Sequence, residues 1–213
     1  MPMSQTINSS KKNRTALFTV LNDSDSPIAI QLDMRVRDMK PDGSEKHPES
    51  DDFLIFPDQL VLGAKKRRVI KVKWLKGEVK ETEKAYRLIV EQLPIDVTKK
   101  VTKKTDIKIL LRYIAALYVA PEKGKSELRV ISSKTTKDLK RVVFYVENSG
   151  SIHQVLLKPA LSITQEGKSF IVTNLEGIRG ENILAKTRRY FSFEPPRGVN
   201  IQKPYTVELV NND

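Results

Sequence analysis

The chain has 213 residues, 39% of them hydrophobic and 30% charged, and a formal net charge of +12 at pH 7. That length accommodates one large or two ordinary domains, and two is the working number. The absence of cysteine excludes disulfides, thiol catalysis and cysteine-ligated zinc. No apolar run approaches the ~20 residues of a membrane-spanning helix, which predicts a soluble protein without membrane insertion.

Short segments that alternate between apolar and polar residues recur through the first half of the chain. Turn-forming residues or prolines end them, and no segment has a convincing helical period. Short strands at regular spacing predict a β-sandwich from residue 1 to about residue 121. The predicted strands before residue 95 are 14–21, 28–37, 53–57, 68–75 and 86–94.

The most apolar and β-like stretch is 106–121, which follows a basic, polar run at 98–105. Both faces of this predicted strand are largely apolar, and it is longer than an ordinary strand. Such a strand has apolar residues left over for a partner. The alternative is that all of them are core residues of an inner strand. One face carries Ile107, Ile109, Leu111, Tyr113, Ala115, Leu117 and Val119.

A weaker β pattern continues through the second half of the chain, after a Pro- and Gly-containing linker at 120–125. Turn signals separate its segments. The pattern predicts an all-β fold of two domains, 1–121 and 122–213. The predicted strands of the second domain are 127–131, 141–147, 155–163, 168–173 and 205–210.

The residues of known catalytic and cofactor motifs are missing from the sequence. His47 and His153 lie far apart in predicted loops, where we expect ordinary surface residues. A phosphate loop, a nucleophile elbow and a zinc-protease motif are all absent. Glu91 stands inside an apolar strand, which indicates a hydrogen-bonded or ion-paired structural role. We therefore expect no catalytic residues, no metal site, no cofactor and no enzymatic activity.

The positive charge leaves a second function class open. A basic β-sandwich could bind nucleic acid or another polyanion through 65–68, 99–104 and Arg188 with Arg189. Aromatic residues interleaved with these basic runs would favour that function, and they are missing. Solvated basic loops explain the same charge.

Several segments in order resemble one protein family. The series 53–63, 68–74 and 85–94 is similar to the first domain of PapD-like periplasmic pilus chaperones of the chaperone-usher pathway. The similarity continues through 106–121 and, more weakly, through 146–155. It thus covers nearly the whole chain, and its specificity lies in the order and spacing of the segments.

The resemblance implies two immunoglobulin-like sandwich domains joined at an angle. It also implies that the long strand is lent to a pilin subunit whose own fold lacks a strand, with alternate apolar residues filling the subunit's groove. The implied donor residues are Ile107, Ile109 and Leu111, with Tyr113 as a fourth. Without the resemblance, ordinary core residues would be the favoured interpretation.

The implied partners are pilin or fimbrial subunits and an outer-membrane usher, with no nucleic acid. The implied location is the periplasm, with a signal peptide already removed. An uncovered apolar strand edge also favours self-association of the free protein.

The resemblance departs from the best-known branch at one point. That branch binds the pilin's terminal carboxylate with an arginine and a lysine, whose positions here hold Ser4 and Ala116. The sequence is therefore more similar to the archaic or alternative branch, which carries this anchor on the last two strands of the first domain. Arg87 and Arg112 become the candidate carboxylate anchor. Ion pairing with Glu91, or simple surface exposure, is the alternative role for both arginines.

Overall fold

The structure is a computed structural model that describes residues 3–10, 14–94 and 109–211. Within these ranges the regular elements are strands, and no helical segment has the length and hydropathy needed to cross a bilayer. The prediction of an all-β fold is confirmed. In chain order the strands up to residue 120 are β1 (Ser4–Asn8), β2 (Thr15–Leu21), β3 (Ile28–Val36), β4 (Asp38–Met39), β5 (Glu45–Lys46), β6 (Phe53–Phe56), β7 (Gln59–Leu62), β8 (Arg67–Trp74), β9 (Lys84–Gln92) and β10 (Arg112–Ala120).

The later strands are shorter on average and include two two-residue strands, β13 and β16, which pair with each other. They are β11 (Leu128–Thr135), β12 (Val142–Asn148), β13 (Gln154–Val155), β14 (Pro159–Gln165), β15 (Lys168–Val172), β16 (Asn182–Ile183), β17 (Arg188–Phe193) and β18 (Thr206–Asn211).

Contacts divide the chain into two compact units. The first holds the described residues of Met1–Asp38, Lys46–Lys80 and Lys84–Glu122. The second holds those of Met39–Glu45, Glu81–Glu83 and Lys123–Asp213, so two short early segments group with the later part of the chain.

The first unit is a sandwich of a five-stranded sheet, in the order β1-β10-β9-β3-β7, and a three-stranded sheet, in the order β2-β8-β6. Strand β8 shows why these segments fold as strands, because Ile70, Val72 and Trp74 point into the core while Lys71 and Lys73 point to solvent. The two sheets bury one apolar face each against the other. Its buried centre includes Phe18, Ile30, Leu32, Met34, Ile70, Val72, Trp74, Leu88, Val90, Ala115, Leu117 and Val119.

An aromatic cluster closes one part of this core. The ring of Phe53 lies edge-on to those of Tyr86, at 4.8 Å, and Trp74, at 5.1 Å. The Tyr86 hydroxyl donates a hydrogen bond to the Asp52 carboxylate. Burial, together with this carboxylate, raises the pKa of Tyr86 well above its ordinary value, so the phenol stays protonated and keeps donating.

The second unit contains two three-stranded sheets, in the orders β11-β12-β17 and β15-β14-β18, and a short β13-β16 ribbon. Alternating side chains of β12 and β17 bring Phe144 within 5.8 Å of Phe191 and 5.7 Å of Phe193 between ring centres. This unit therefore has its own hydrophobic core. Its fully buried members include Val142, Phe144, Val146, Leu156, Leu161, Ile163 and Ile183.

Three differences from the predicted strands stand out. Strand β10 begins at Arg112 rather than at residue 106, and 106–108 lie outside the described residues. The predicted strand 155–163 is interrupted, because pairing passes from β13 to β14 across residues 156–158. Strand β17 was not predicted, although its side chains alternate between exposed and buried.

A buried asparagine organises the turn after β12. Asn148 is fully buried, and its side-chain oxygen accepts hydrogen bonds from the backbone N–H groups of Glu127, at 3.1 Å, and Gly150, at 2.9 Å. Its amide nitrogen donates to the carbonyl oxygens of Ile152, at 2.8 Å, and Ile183, at 3.1 Å. One side chain thus forms hydrogen bonds with four backbone groups and holds Gly150 close to the backbone of residues 125–127.

We predict that Gly150→Ala destabilises the protein by ~1–3 kcal/mol, because the added methyl group overpacks a rigid site. An alanine Cβ at this position would lie 2.3 Å from the Lys125 carbonyl oxygen and 2.6 Å from the Glu127 nitrogen, and both are backbone atoms. Gly77→Ala is the matched control, since nothing lies within 4 Å of a Cβ there. Denaturant unfolding of both variants measures the difference, and equal stabilities would contradict the packing described.

Candidate functional site

The edge of β10 is covered along only part of its length. The parallel partner β1 pairs with it from Ser4 opposite Ala116 to Asn8 opposite Ala120. The Ala116 N–H donates to the Met3 carbonyl at 2.9 Å, so even-numbered residues of β10 direct their backbone polar groups to this edge. Odd-numbered residues direct theirs to β9, as the bond from the Gln92 N–H to the Leu111 carbonyl shows.

The backbone groups of Arg112 and Ile114 therefore face an open edge. Among the described residues no strand pairs with β10 on that side before Ala116. An open edge of this kind is a template for an added strand.

Three of the four predicted donor residues lie beside this edge, and all three are exposed. The exposed fraction is 76% for Ile109, 49% for Leu111 and 54% for Tyr113. Farther along the same face, Ala115 and Leu117 are fully buried in the core. The alternative, that these are ordinary core residues, does not fit Ile109, Leu111 and Tyr113, because all three are exposed. Ile107 lies outside the described residues.

The opposite face of the same sheet carries the two candidate anchor arginines. Arg112 lies opposite Glu91 on β9, and its Nε is 2.9 Å from the Glu91 Oε1. Both side chains are about half exposed, and such pairs contribute only ~0.2–1 kcal/mol to stability. Ion pairing of Glu91, which the sequence indicated, is confirmed, and Arg112 is its partner.

Arg87, on β9, lies in a different row of the sheet, opposite Ala116. Ala116 is four residues from Arg112 along β10, so the two rows are about 13 Å apart along the strand. In this row Ser4, Ala116, Arg87 and Arg35 are neighbours on β1, β10, β9 and β3. The structure thus places Arg87 directly beside Ala116, and Ser4 on the far side of Ala116. Arg87 and Arg112 are therefore not adjacent and do not form one shared carboxylate-binding site.

Two further arginines belong to this face and were not singled out in the sequence. Arg35 pairs with Asp33 and, at 3.1 Å, with Glu49. The nearly buried Arg37 donates to the Tyr118 hydroxyl at 2.6 Å. Both arginines lie in the predicted strand 28–37, but only the register of β3 against β9 shows that Arg35 and Arg87 are cross-strand neighbours.

The prediction that His153 is an ordinary surface residue is wrong. Its side chain is only 19% exposed, and its Nδ1 lies 2.7 Å from an oxygen of the nearly buried Glu83. The backbone N–H of His153 donates to the same oxygen at 3.1 Å. A buried carboxylate requires such partners, so the contact explains both residues structurally. The described residues contain no cluster of acidic, histidine or cysteine side chains that could hold a metal ion.

The fold is similar to that of solved pilus chaperones. The chain shares 14% identity and a TM-score of 0.63 with a chain of the CsuC-CsuE chaperone-tip adhesion subunit pre-assembly complex from archaic Csu pili of Acinetobacter baumannii, over 93% of this chain and 88% of that one. With the class 5 fimbriae chaperone CfaA it shares 13% identity and a TM-score of 0.61, over 98% of this chain and 96% of that one. With a chain of the Salmonella enterica SafA pilin–SafB chaperone complex they are 16% and 0.60, over 89% and 80%.

A search of curated proteins gave no match. The family model described as "Pili and flagellar-assembly chaperone, PapD N-terminal domain" matches residues 3–125, which is more than half of the chain. The match includes the described residues of β1 to β10, with the exposed strand segment and the arginine-bearing face. The chain therefore belongs to the PapD-like family of pilus and flagellar-assembly chaperones, which are assembly proteins and not enzymes.

Proposed function

We propose that this chaperone captures pilus subunits by adding part of its own chain to a subunit sandwich that lacks a strand. The observation that carries the proposal is the coincidence of an open backbone edge at Arg112 and Ile114 with exposed apolar side chains at Ile109, Leu111 and Tyr113. The backbone edge supplies hydrogen bonds, and the side chains supply apolar area for the subunit's groove. Ile107, which lies outside the described residues, remains a predicted donor.

Residues 1–121 form the proposed subunit-binding domain, and 122–213 the proposed second domain. Two of the solved structures with a similar fold are complexes of a chaperone with a subunit, CsuC with CsuE and SafB with SafA. That likeness supports a subunit as the partner here. Delivery to an outer-membrane usher and a periplasmic location belong to the same proposal, on the basis of family membership.

The proposed anchor for the subunit's terminal carboxylate is Arg87, with Arg112 as a second contact. Arg87 is supported by its position next to Ala116, one of the two positions that carry the basic pair in the best-known branch. Arg112 already binds Glu91, so it must exchange one carboxylate for another. The exchange costs little, because both side chains are about half exposed to water.

Polyanion binding receives no comparable support. In the dense basic segment 65–68, Lys65 contacts Asp25 at 3.2 Å and Asp23 at 3.9 Å. The other dense run, 99–104, lies outside the described residues.

Co-expression with the fimbrial subunits of the same operon tests the proposed strand addition. We expect Ile109→Asp to abolish co-purification of a subunit in high salt, because a carboxylate cannot enter an apolar groove without a large desolvation cost. The variant should unfold at the wild-type temperature, since Ile109 is 76% exposed. Ile171→Asp is the matched control, an isoleucine that is 60% exposed in the second unit. Equal capture by both variants would rule out the proposed donor strand.

A double-mutant cycle tests the anchor. We expect Arg87→Ala to weaken capture about tenfold or more, because a hydrogen bond to a charged group contributes ~1.5–3 kcal/mol. The effect should vanish when the subunit's C-terminus is extended by two glycines, which moves the carboxylate away. Arg112→Ala should show a smaller loss, and Arg129→Ala should show none. Arg129 is an exposed arginine on a strand of the second unit and is paired with Glu147 at 3.1 Å, so it controls for the loss of an exposed, ion-paired arginine.

The anchor assignment fails if Arg87→Ala weakens capture of the native and the extended subunit by the same factor. Such a result would mean that Arg87 supports the fold or contacts another part of the subunit.

A further inference from the structure

An open apolar cavity of about 430 Å³ lies at the end of the first unit next to the exposed donor residues. Its walls come from both sheets, with Val20 on β2, Ile28 and Ile30 on β3, and Val90 on β9. Leu111 and Tyr113 complete it from the side of β10, and Ile109 lies at its edge. The polar residues that line it are Asn22, Asp23 and Ser24 of the loop after β2, and Gln92 at the end of β9.

The cavity is a continuation of the core that no side chain of the described residues occupies. Ile30 and Val90 are each 3% exposed and Val20 is 9% exposed, so the cavity ends on side chains that belong to the core. Leu111 and Tyr113, which share the face of the buried Ala115 and Leu117, are about half exposed at the mouth. The packing that excludes water around Leu117 therefore stops at Tyr113.

The size of the cavity suits a large apolar group. An apolar cavity of about 150 Å³ is enough to hold a benzene molecule, so an aromatic side chain fits here with room to spare. A few polar groups around an apolar floor are typical of a binding pocket rather than of a packing defect.

We infer that this cavity receives a bulky apolar side chain of the bound pilus subunit, so that the chaperone accepts a residue from the subunit as well as donating its own. The inference rests on the proposed strand addition. A subunit aligned along the open edge of β10 lies beside Leu111 and Tyr113, which form two walls of the cavity. The subunit surface is then continuous with the cavity mouth.

A second copy of this chain is a less suitable occupant. Each copy carries a net charge of +12, and like charges of this size oppose association at low salt. The cavity would also help to select among subunits, because a subunit with a small or charged residue at this point leaves the apolar floor unfilled or desolvates a charge.

Filling the cavity from its wall tests the inference. Ile28 lines the cavity, whereas Ile55 packs against the same core elsewhere, and both are partly buried. We expect Ile28→Phe to reduce capture of the co-expressed subunit about tenfold or more, and Ile55→Phe to leave it unchanged at a similar unfolding temperature. Equal capture by the two folded variants would overturn the inference.

Photo-crosslinking gives a second measurement that does not depend on the folding of Ile28→Phe. p-Benzoylphenylalanine is placed at Leu21, which lines the cavity and is 58% exposed, or at Leu17, which lies on the same strand, is 53% exposed and does not line it. We expect the probe at Leu21, and not at Leu17, to attach to an apolar residue of the subunit in the purified complex. Attachment from both positions alike, or from Leu21 only to a second copy of the chaperone, would overturn the inference.

The Ile109→Asp variant separates the two levels of interpretation. If it still captures the subunit, the proposed strand addition fails. If it loses the subunit while Ile28→Phe retains it and Leu21 yields no subunit adduct, strand addition stands and only the cavity assignment fails.

Discussion

The parallel pairing of β1 with β10 stops at Ser4 and Ala116. Beyond that point the backbone polar groups of Arg112 and Ile114 still face the same side, with no strand among the described residues to bind them. A partner that covers this edge must supply hydrogen bonds for these groups, because buried backbone groups without partners are costly. An added strand meets that requirement directly, because its own backbone groups are spaced to pair with those of β10.

The two faces of β10 perform different tasks along its length. From Ala115 onward, the core-facing residues are buried in the chaperone's own sandwich. The residues of the same face up to Tyr113 are exposed. One strand is therefore anchored at one end and available at the other. On the opposite face the arginines sit among carboxylates, with Arg112 against Glu91 and Arg35 against Asp33 and Glu49. These ion pairs hold the arginine side chains in place on the sheet and neutralise part of their positive charge.

An open apolar edge carries a risk of association between identical chains. In this protein the exposed apolar residues at this edge span only residues 109–113, and the charged Arg112 lies between Leu111 and Tyr113. The net charge of +12 adds long-range repulsion between copies. Both features oppose pairing between identical copies.

Much of this fold follows from local sequence. The alternation in 28–37, the proline ending 86–94 and the apolar pattern of 106–121 each led to a strand, because period-two burial is visible in a single segment. The ion pair of Glu91 was also predicted, although the side chain is about half exposed and faces solvent rather than the core.

Other features depend on long-range register and could not be read locally. Ser4, Ala116, Arg87 and Arg35 become neighbours only when four separate strands align. His153 meets Glu83, 70 positions earlier in the chain, and neither residue has a local pattern that signals the contact. Strand β17 was missed because two arginines open it, although one of them, Arg189, is buried at 4% exposure against Glu181 and the Asn182 carbonyl.

Amide hydrogen exchange, measured by NMR on the free chaperone and on its complex with a subunit, tests the central claim most directly. If the subunit adds to the open edge, exchange of the Arg112 and Ile114 amides slows markedly in the complex, while the Tyr113 amide, which faces β9, changes little. If the subunit binds and the Arg112 and Ile114 amides exchange as fast as before, strand addition at this edge is contradicted.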